Sequence, residues 1–95
     1  MPATFRAVGT FELPSRRLFV VHGAIESGTV KKGMRMKLGV NSSFSLAMPV
    51  DAVEFIDHIS ERRSEVGLCT VYRDADELAL LKGLNIGGEL LEIED

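Results

Sequence analysis

The chain has 95 residues, of which 45% are hydrophobic and 26% charged, with a net charge of −3. That length holds one domain and not two, and that composition argues against disorder. No apolar run approaches the roughly 20 residues of a membrane span, Met1 to Arg6 lacks the basic start and apolar block of a secretion signal, and a lone cysteine, Cys69, excludes an intramolecular disulfide.

The charge is uneven along the chain. Residues 1–40 carry seven basic groups against two acidic ones, a net of +5, and residues 41–95 carry four against twelve, a net of −8. Such asymmetry either marks an oriented surface or cancels once strands of the two halves interleave. With no secretion signal, a single cytoplasmic domain over residues 1–95 is expected.

Thr4 to Leu13 alternates with period two, which predicts a half-buried strand with Phe5, Ala7, Gly9, Phe11 and Leu13 on one face. Pro14-Ser15 breaks it, because proline cannot donate to a ladder. Arg17 to Ile25 is the second strand. Phe19, Val21, Gly23 and Ile25 share one face and Leu18, Val20, His22 and Ala24 the other. A strand apolar on both sides is central to the fold or covered by something else. Turns are expected around Gly28, which can supply a positive φ, and at Lys31-Lys32-Gly33. Met34 to Val40 alternates again with Arg35 and Lys37 outward, and Asn41-Ser42-Ser43 reverses the chain.

Phe44 to Val50 alternates, and Pro49 assigns it to an edge or a bulge. Val50 to Ile59 places Val53, Phe55 and Ile59 on one face. Residues 60–64 form a polar loop, and Glu65 to Arg73 is a further strand with Cys69 and Val71 opposite Val66, Leu68 and Tyr72. Asp74 to Lys82 is the one helix candidate, short enough to be a single 3-10 turn instead, with Asp74 as cap, Glu77 completing a capping box and Gly83 as stop. Asn85 to Gly88 turns, and Glu89 to Glu94 closes with Leu91 and Ile93 inward. Six or seven short strands at this spacing read as a barrel or sandwich. The expected fold class is all-β: a small closed antiparallel β-barrel of six to seven strands with one short helical turn.

Phe11 through Arg16-Arg17 to Val20-Val21-His22-Gly23, and on through Gly28 to Gly33-Met34, resembles the second, barrel-forming domain of translational GTPases such as elongation factor Tu. Val50 to Ile56, Glu65 to Leu68 and Leu84 to Leu91 resemble later strands of the same domain, so the likeness spans nearly the whole chain. Gly23, Gly28 and Gly33 match as turn and packing positions, and Arg16 and Arg17 match approximately. Two positions depart from the family: its Gly-Arg-Gly turn is replaced by Pro14-Ser15-Arg16-Arg17, and its basic residue after the strand glycine by Ala24. The resemblance implies a barrel scaffold and a translation-linked or ribonucleoprotein partner. It implies no nucleotide hydrolysis, since no phosphate-cradling Gly-x-x-x-x-Gly-Lys-Ser/Thr loop exists in the chain.

The residues themselves offer four candidate sites. Arg16, Arg17, Lys31, Lys32 and Arg35 would form a positive patch for phosphate or an acidic protein surface if the two basic turns meet. All five phenylalanines fall on faces read as core, away from any stacking role, and the net charge is negative, so a protein partner is favoured over RNA. His22, His58 and Cys69 could form a metal or nucleophile site, but none lies within ten residues of another, and Cys69 reads as a small buried hydrophobe. Asp51, Glu54, Asp57 and His58 would hold a cation on a helix, whereas a strand sends Asp51 and Asp57 to one face and Glu54 and His58 to the other. Asn41-Ser42-Ser43 fits a glycosylation sequon and reads as a turn.

The leading expectation is a non-enzymatic binding module without a cofactor. Its partner-binding residues are Arg16, Arg17, His22, Lys31, Lys32 and Arg35, beside an apolar outer stripe of Leu18, Val20 and Ala24. The alternatives are a small ligand-binding or enzymatic barrel working at its mouth, with His22 or the Asp51–His58 segment as polar groups, and a homo-oligomer that buries the second apolar face of strand two.

Overall fold

A computed structural model describes residues 3–41, 44–58, 63–84, 86 and 88–95. Seven strands, β1 (Ala3–Leu13), β2 (Leu18–Ser27), β3 (Arg35–Asn41), β4 (Phe44–Pro49), β5 (Ala52–His58), β6 (Arg63–Val71) and β7 (Leu90–Glu94), form one antiparallel sheet in the order β4-β3-β7-β1-β2-β6-β5. A short 3-10 turn at Pro14–Arg16 joins β1 to β2, and one helix, α1 (Ala75–Gly83), lies between β6 and β7. The chain is therefore all-β with one short helix. No ladder pairs β4 with β5 among the described residues, so the sheet is not closed into a barrel. Of the expected reversal at Asn41-Ser42-Ser43, Asn41 is the last residue of β3 and residues 42–43 lie outside the described residues. Of the expected polar loop over residues 60–64, Arg63 and Ser64 instead begin β6, and residues 60–62 lie outside the described residues, as do residues 59, 85 and 87 and the side chains of Phe44, Asp57 and His58.

One face of the sheet curls around the main core. Phe5 and Ala7 of β1, Phe19 and Val21 of β2, Met36 and Leu38 of β3, Leu68 of β6 and Leu91 and Ile93 of β7 are buried there with Leu81 of α1. A second, smaller cluster sits on the opposite face, where Leu18, Val20 and Cys69 are buried against Leu13 and Ala52. β2 lies between β1 and β6 and is covered on both faces, which is why both of its alternating sets are apolar. The stripe of Leu18 and Val20 is consequently buried rather than offered to a partner, and of its three members only Ala24 is exposed.

β1 departs from strict alternation. Ala7 pairs with Gly23 and Gly9 with His22, so Val8 is an extra residue in β1. A bulge of one residue reverses the parity of everything beyond it. Phe5 and Ala7 stay in the core, while Phe11 turns to the outer face and is 40% exposed. Phe55 is also not a core residue: it is 81% exposed. It lies on outermost strand β5, which has a neighbour on one side only, opposite the partly buried Val66.

The helix starts as its sequence dictates. Asp74 accepts a hydrogen bond from the Glu77 amide at 2.8 Å, and Glu77 reaches back to the Arg73 amide at 3.3 Å. Gly83 is the last helical residue rather than a left-handed stop, and the chain leaves through an extended Leu84. Gly28 does adopt a positive φ, 76°. Pro49 ends β4, an outermost strand, where its missing N–H costs no ladder bond.

Candidate functional site

The Arg16-Arg17 turn is the most constrained part of the surface. Pro14 sets the first dihedral of the 3-10 turn, and Arg17 follows at φ 53°, ψ 40°, the only left-handed non-glycine among the described residues. The turn is held by two backbone bonds, from the Arg17 N–H to the Pro14 carbonyl at 3.2 Å and from the Tyr72 N–H to the Arg17 carbonyl at 3.0 Å. Arg16 crosses the outer face to donate to Glu54 Oε1 of β5 at 3.1 Å. The two arginines thus have different work: Arg16 ties the turn to β5, while Arg17 has no ion-pair partner among the described residues.

His22 occupies the outer face of β2, in mid-strand and not at the mouth of a barrel. Its register neighbours are Gly9 on β1 and Gly67 on β6. Its Nδ1 lies 2.8 Å from Oε2 of Glu65, a carboxylate only 6% exposed. The ring packs on Phe11 with centroids 5.6 Å apart. A Cβ at Gly9 would come within 3.0 Å of His22 Nε2, so the small neighbour gives the imidazole its place. Glu65 lies 43 positions from His22, and only the β2–β6 pairing joins them.

Lys31, Lys32 and Arg35 stand elsewhere. Arg35 pairs in register with Glu94, next to the Met36–Ile93 and Ala3–Ile93 pairs, and Thr4 is opposite Ser27. That is the end of β2 remote from Arg17, so the two basic turns do not merge into one patch. Lys31 and Lys32 are exposed, and the Arg35 guanidinium donates to the Asp95 carbonyl at 3.3 Å. Lys37 sits 3.6 Å from Glu92 and 3.4 Å from Glu94, which neutralises the outer face there.

Of the polar residues in the segment after β4, only the Asp51 and Glu54 side chains lie among the described residues. The Asp51 carboxylate accepts the Val71 amide at 2.7 Å, and Glu54 takes Arg16. Among the described residues no three His, Cys, Asp or Glu side chains gather as for a metal ion.

Cys69 is fully buried in the outer cluster. Burial pushes its thiol above its ordinary value of 9.0, and the negative charges of Glu54 and Asp51 add to this against an opposing pull from Arg16. The folded chain therefore keeps the thiol proton at a pH where the unfolded chain loses it. Stability tied to this group is complete below about pH 9 and is lost as pH rises beyond it. We expect the stability of the native chain to fall more steeply above that pH than the stability of a Cys69→Ala variant, measured by urea denaturation. Equal slopes would refute the assignment.

Comparisons with protein-family models, curated proteins and solved structures give no match for this chain. Among the described residues no helix is long and apolar enough to cross a membrane.

Proposed function

We propose that this chain is a non-enzymatic binding module of the translation-factor barrel type, which presents the Arg16-Arg17 turn to a protein or ribonucleoprotein partner. The carrying observation is Arg17. A left-handed backbone costs an L-residue roughly 1–2 kcal/mol, and glycine would occupy the position without that cost. An exposed arginine without an ion-pair partner among the described residues, held there by two backbone bonds, is the kind of strained position that recognition surfaces keep.

The barrel type is supported by the passage from β4 to β5. These are the outermost strands in ladder order, yet they are one continuous run of chain. Phe44–Pro49 bonds to β3 and Ala52–His58 to β6. At the bend Val50 exchanges bonds with Met34 and Gly33 at 2.8 and 2.9 Å, and the Asp51 N–H donates to the Cys69 carbonyl at 2.8 Å. A strand that bonds one sheet edge with its first half and the opposite edge with its second is how small barrels close.

Substituting Arg17 tests the reading without unfolding the chain. Arg17→Gly should leave stability unchanged or raise it by up to about 1 kcal/mol, and should abolish capture of a discrete partner from lysate by the immobilised chain. Arg16→Ala/Arg17→Gly should do the same, and nuclease treatment should leave capture intact. Capture indifferent to both variants refutes the site, and capture lost to nuclease makes the partner RNA.

A further inference from the structure

A cavity of about 430 Å³ opens where the 3-10 turn meets the start of α1, lined by Pro14, Arg17, Tyr72, Arg73, Asp74 and Leu78. Pro14, Leu78 and the Tyr72 ring supply apolar wall. Tyr72 is 8% exposed and belongs to the main core, yet its hydroxyl has no hydrogen-bond partner among the described residues. The hydroxyl is not sealed from solvent, so it is open to a hydrogen bond with a group from outside the chain.

The charged groups around the cavity are not equally free. Asp74 is engaged by the Glu77 amide, and Glu77 holds the Arg73 guanidinium through Nε and Nη2, each at 3.1 Å. Arg17 alone among these side chains carries a charge without a described partner, and its backbone is fixed by Pro14 and by Tyr72 itself. Among the described residues, what remains uncommitted here is one guanidinium and one hydroxyl, both able to donate, beside the apolar Pro14 and Leu78.

We infer that this cavity binds a carboxylate carried on an aliphatic stem, supplied by the partner as a chain terminus or an acidic side chain. The guanidinium matches both carboxylate oxygens side by side, the Tyr72 hydroxyl donates a further bond, and the stem lies on Pro14 and Leu78. Phosphate has no stem for these walls, and its second charge meets the carboxylates of Asp74 and Asp76 in the first turn of α1. The inference rests on the reading of Arg17 as a contact residue and goes further by stating what Arg17 contacts.

Its test needs no partner. Hexanoate titrated into the ¹⁵N-labelled chain should shift the amides of Arg17, Tyr72, Arg73 and Asp74 and the Arg17 Nε saturably, and hexanamide should not. Tyr72→Phe keeps the ring and should weaken hexanoate about tenfold, the weight of one hydrogen bond to a charged group. Arg17→Gly keeps the fold and should abolish binding. A peptide ending in a free leucine carboxylate, set against its amidated twin carrying an internal glutamate, identifies the source of the carboxylate. Absence of saturable shifts with hexanoate, affinity unmoved by either substitution, equal affinity for inorganic phosphate, or binding by neither peptide overturns the inference. Lysate capture can fail while hexanoate binds, or the reverse, so the two readings fall separately.

Discussion

Gly23→Ala is expected to cost at least about 3 kcal/mol and to lower the melting temperature by about 12 °C or more, as followed by circular dichroism. Gly23 lies on the inner face of β2, paired with Ala7 on one side and Val66 on the other. A Cβ built there would stand 2.0 Å from the Arg6 carbonyl oxygen and 3.1 Å from the Ala7 Cα. Both are backbone atoms inside a ladder, so no rotamer change relieves the clash. β1 must move away from β2, just before the Val8 bulge, and carry Phe5 and Ala7 out of the core. Gly83→Ala is the matched control: nothing lies within 4 Å of its Cβ and the residue is helical, so this change should be neutral or slightly stabilising. If Gly23→Ala melts with the control, the close approach of β1 and β2 is wrong.

How much of this was legible in the sequence depends on whether the signal is local. β2 and β7 were readable because alternation and turn residues are local, and α1 because Asp74 and Glu77 are three apart. The Val8 bulge was not: an inserted residue leaves no mark in composition, and its effect falls downstream, where Phe11 changes face. Phe55 was misplaced for a related reason. Its period is that of a core residue, but an outermost strand has a neighbour on one side only, and Val66 across from it leaves the ring 81% exposed.

The candidate site shows the same division. Pro14 announced a turn and Arg16-Arg17 announced charge, but the different fates of the two arginines follow from Glu54, 38 positions beyond Arg16, and from the Tyr72 amide. A left-handed arginine contradicts local preference, so no propensity rule would have found it. His22 stood out as a polar residue on an apolar strand, whereas its partner Glu65 was only one more charge beside a polar loop. Tyr72 looked like ordinary inward packing, and that its hydroxyl has no partner among the described residues emerges only with the cavity around it.

Leu81→Ala should cost about 3 kcal/mol, in the middle of the range for emptying a buried leucine site, and its damage should be concentrated in α1. The helix has nine residues, fewer than the roughly 12–15 at which isolated helices are even marginal in water. Its attachment therefore decides whether it forms. Leu81 is its one fully buried side chain, Leu78 is partly buried, and Leu80 is half-exposed. The Asp74 cap contributes about 1 kcal/mol, and the partly exposed Lys82–Glu12 pair at 2.9 Å less than that. Together these are weaker than the contact Leu81 provides. Amide exchange in residues 75–83 should thus accelerate more than exchange in β2 or β6, while Leu80→Ala should stay within about 0.5 kcal/mol of the native chain. Because Arg73, Asp74 and Leu78 form the α1 side of the cavity beside Arg17, a detached helix should also lose hexanoate although Arg17 and Tyr72 are both present. If Leu81→Ala is no more harmful than Leu80→Ala, α1 is not held by its buried leucine, and the cavity it helps to build has no fixed wall.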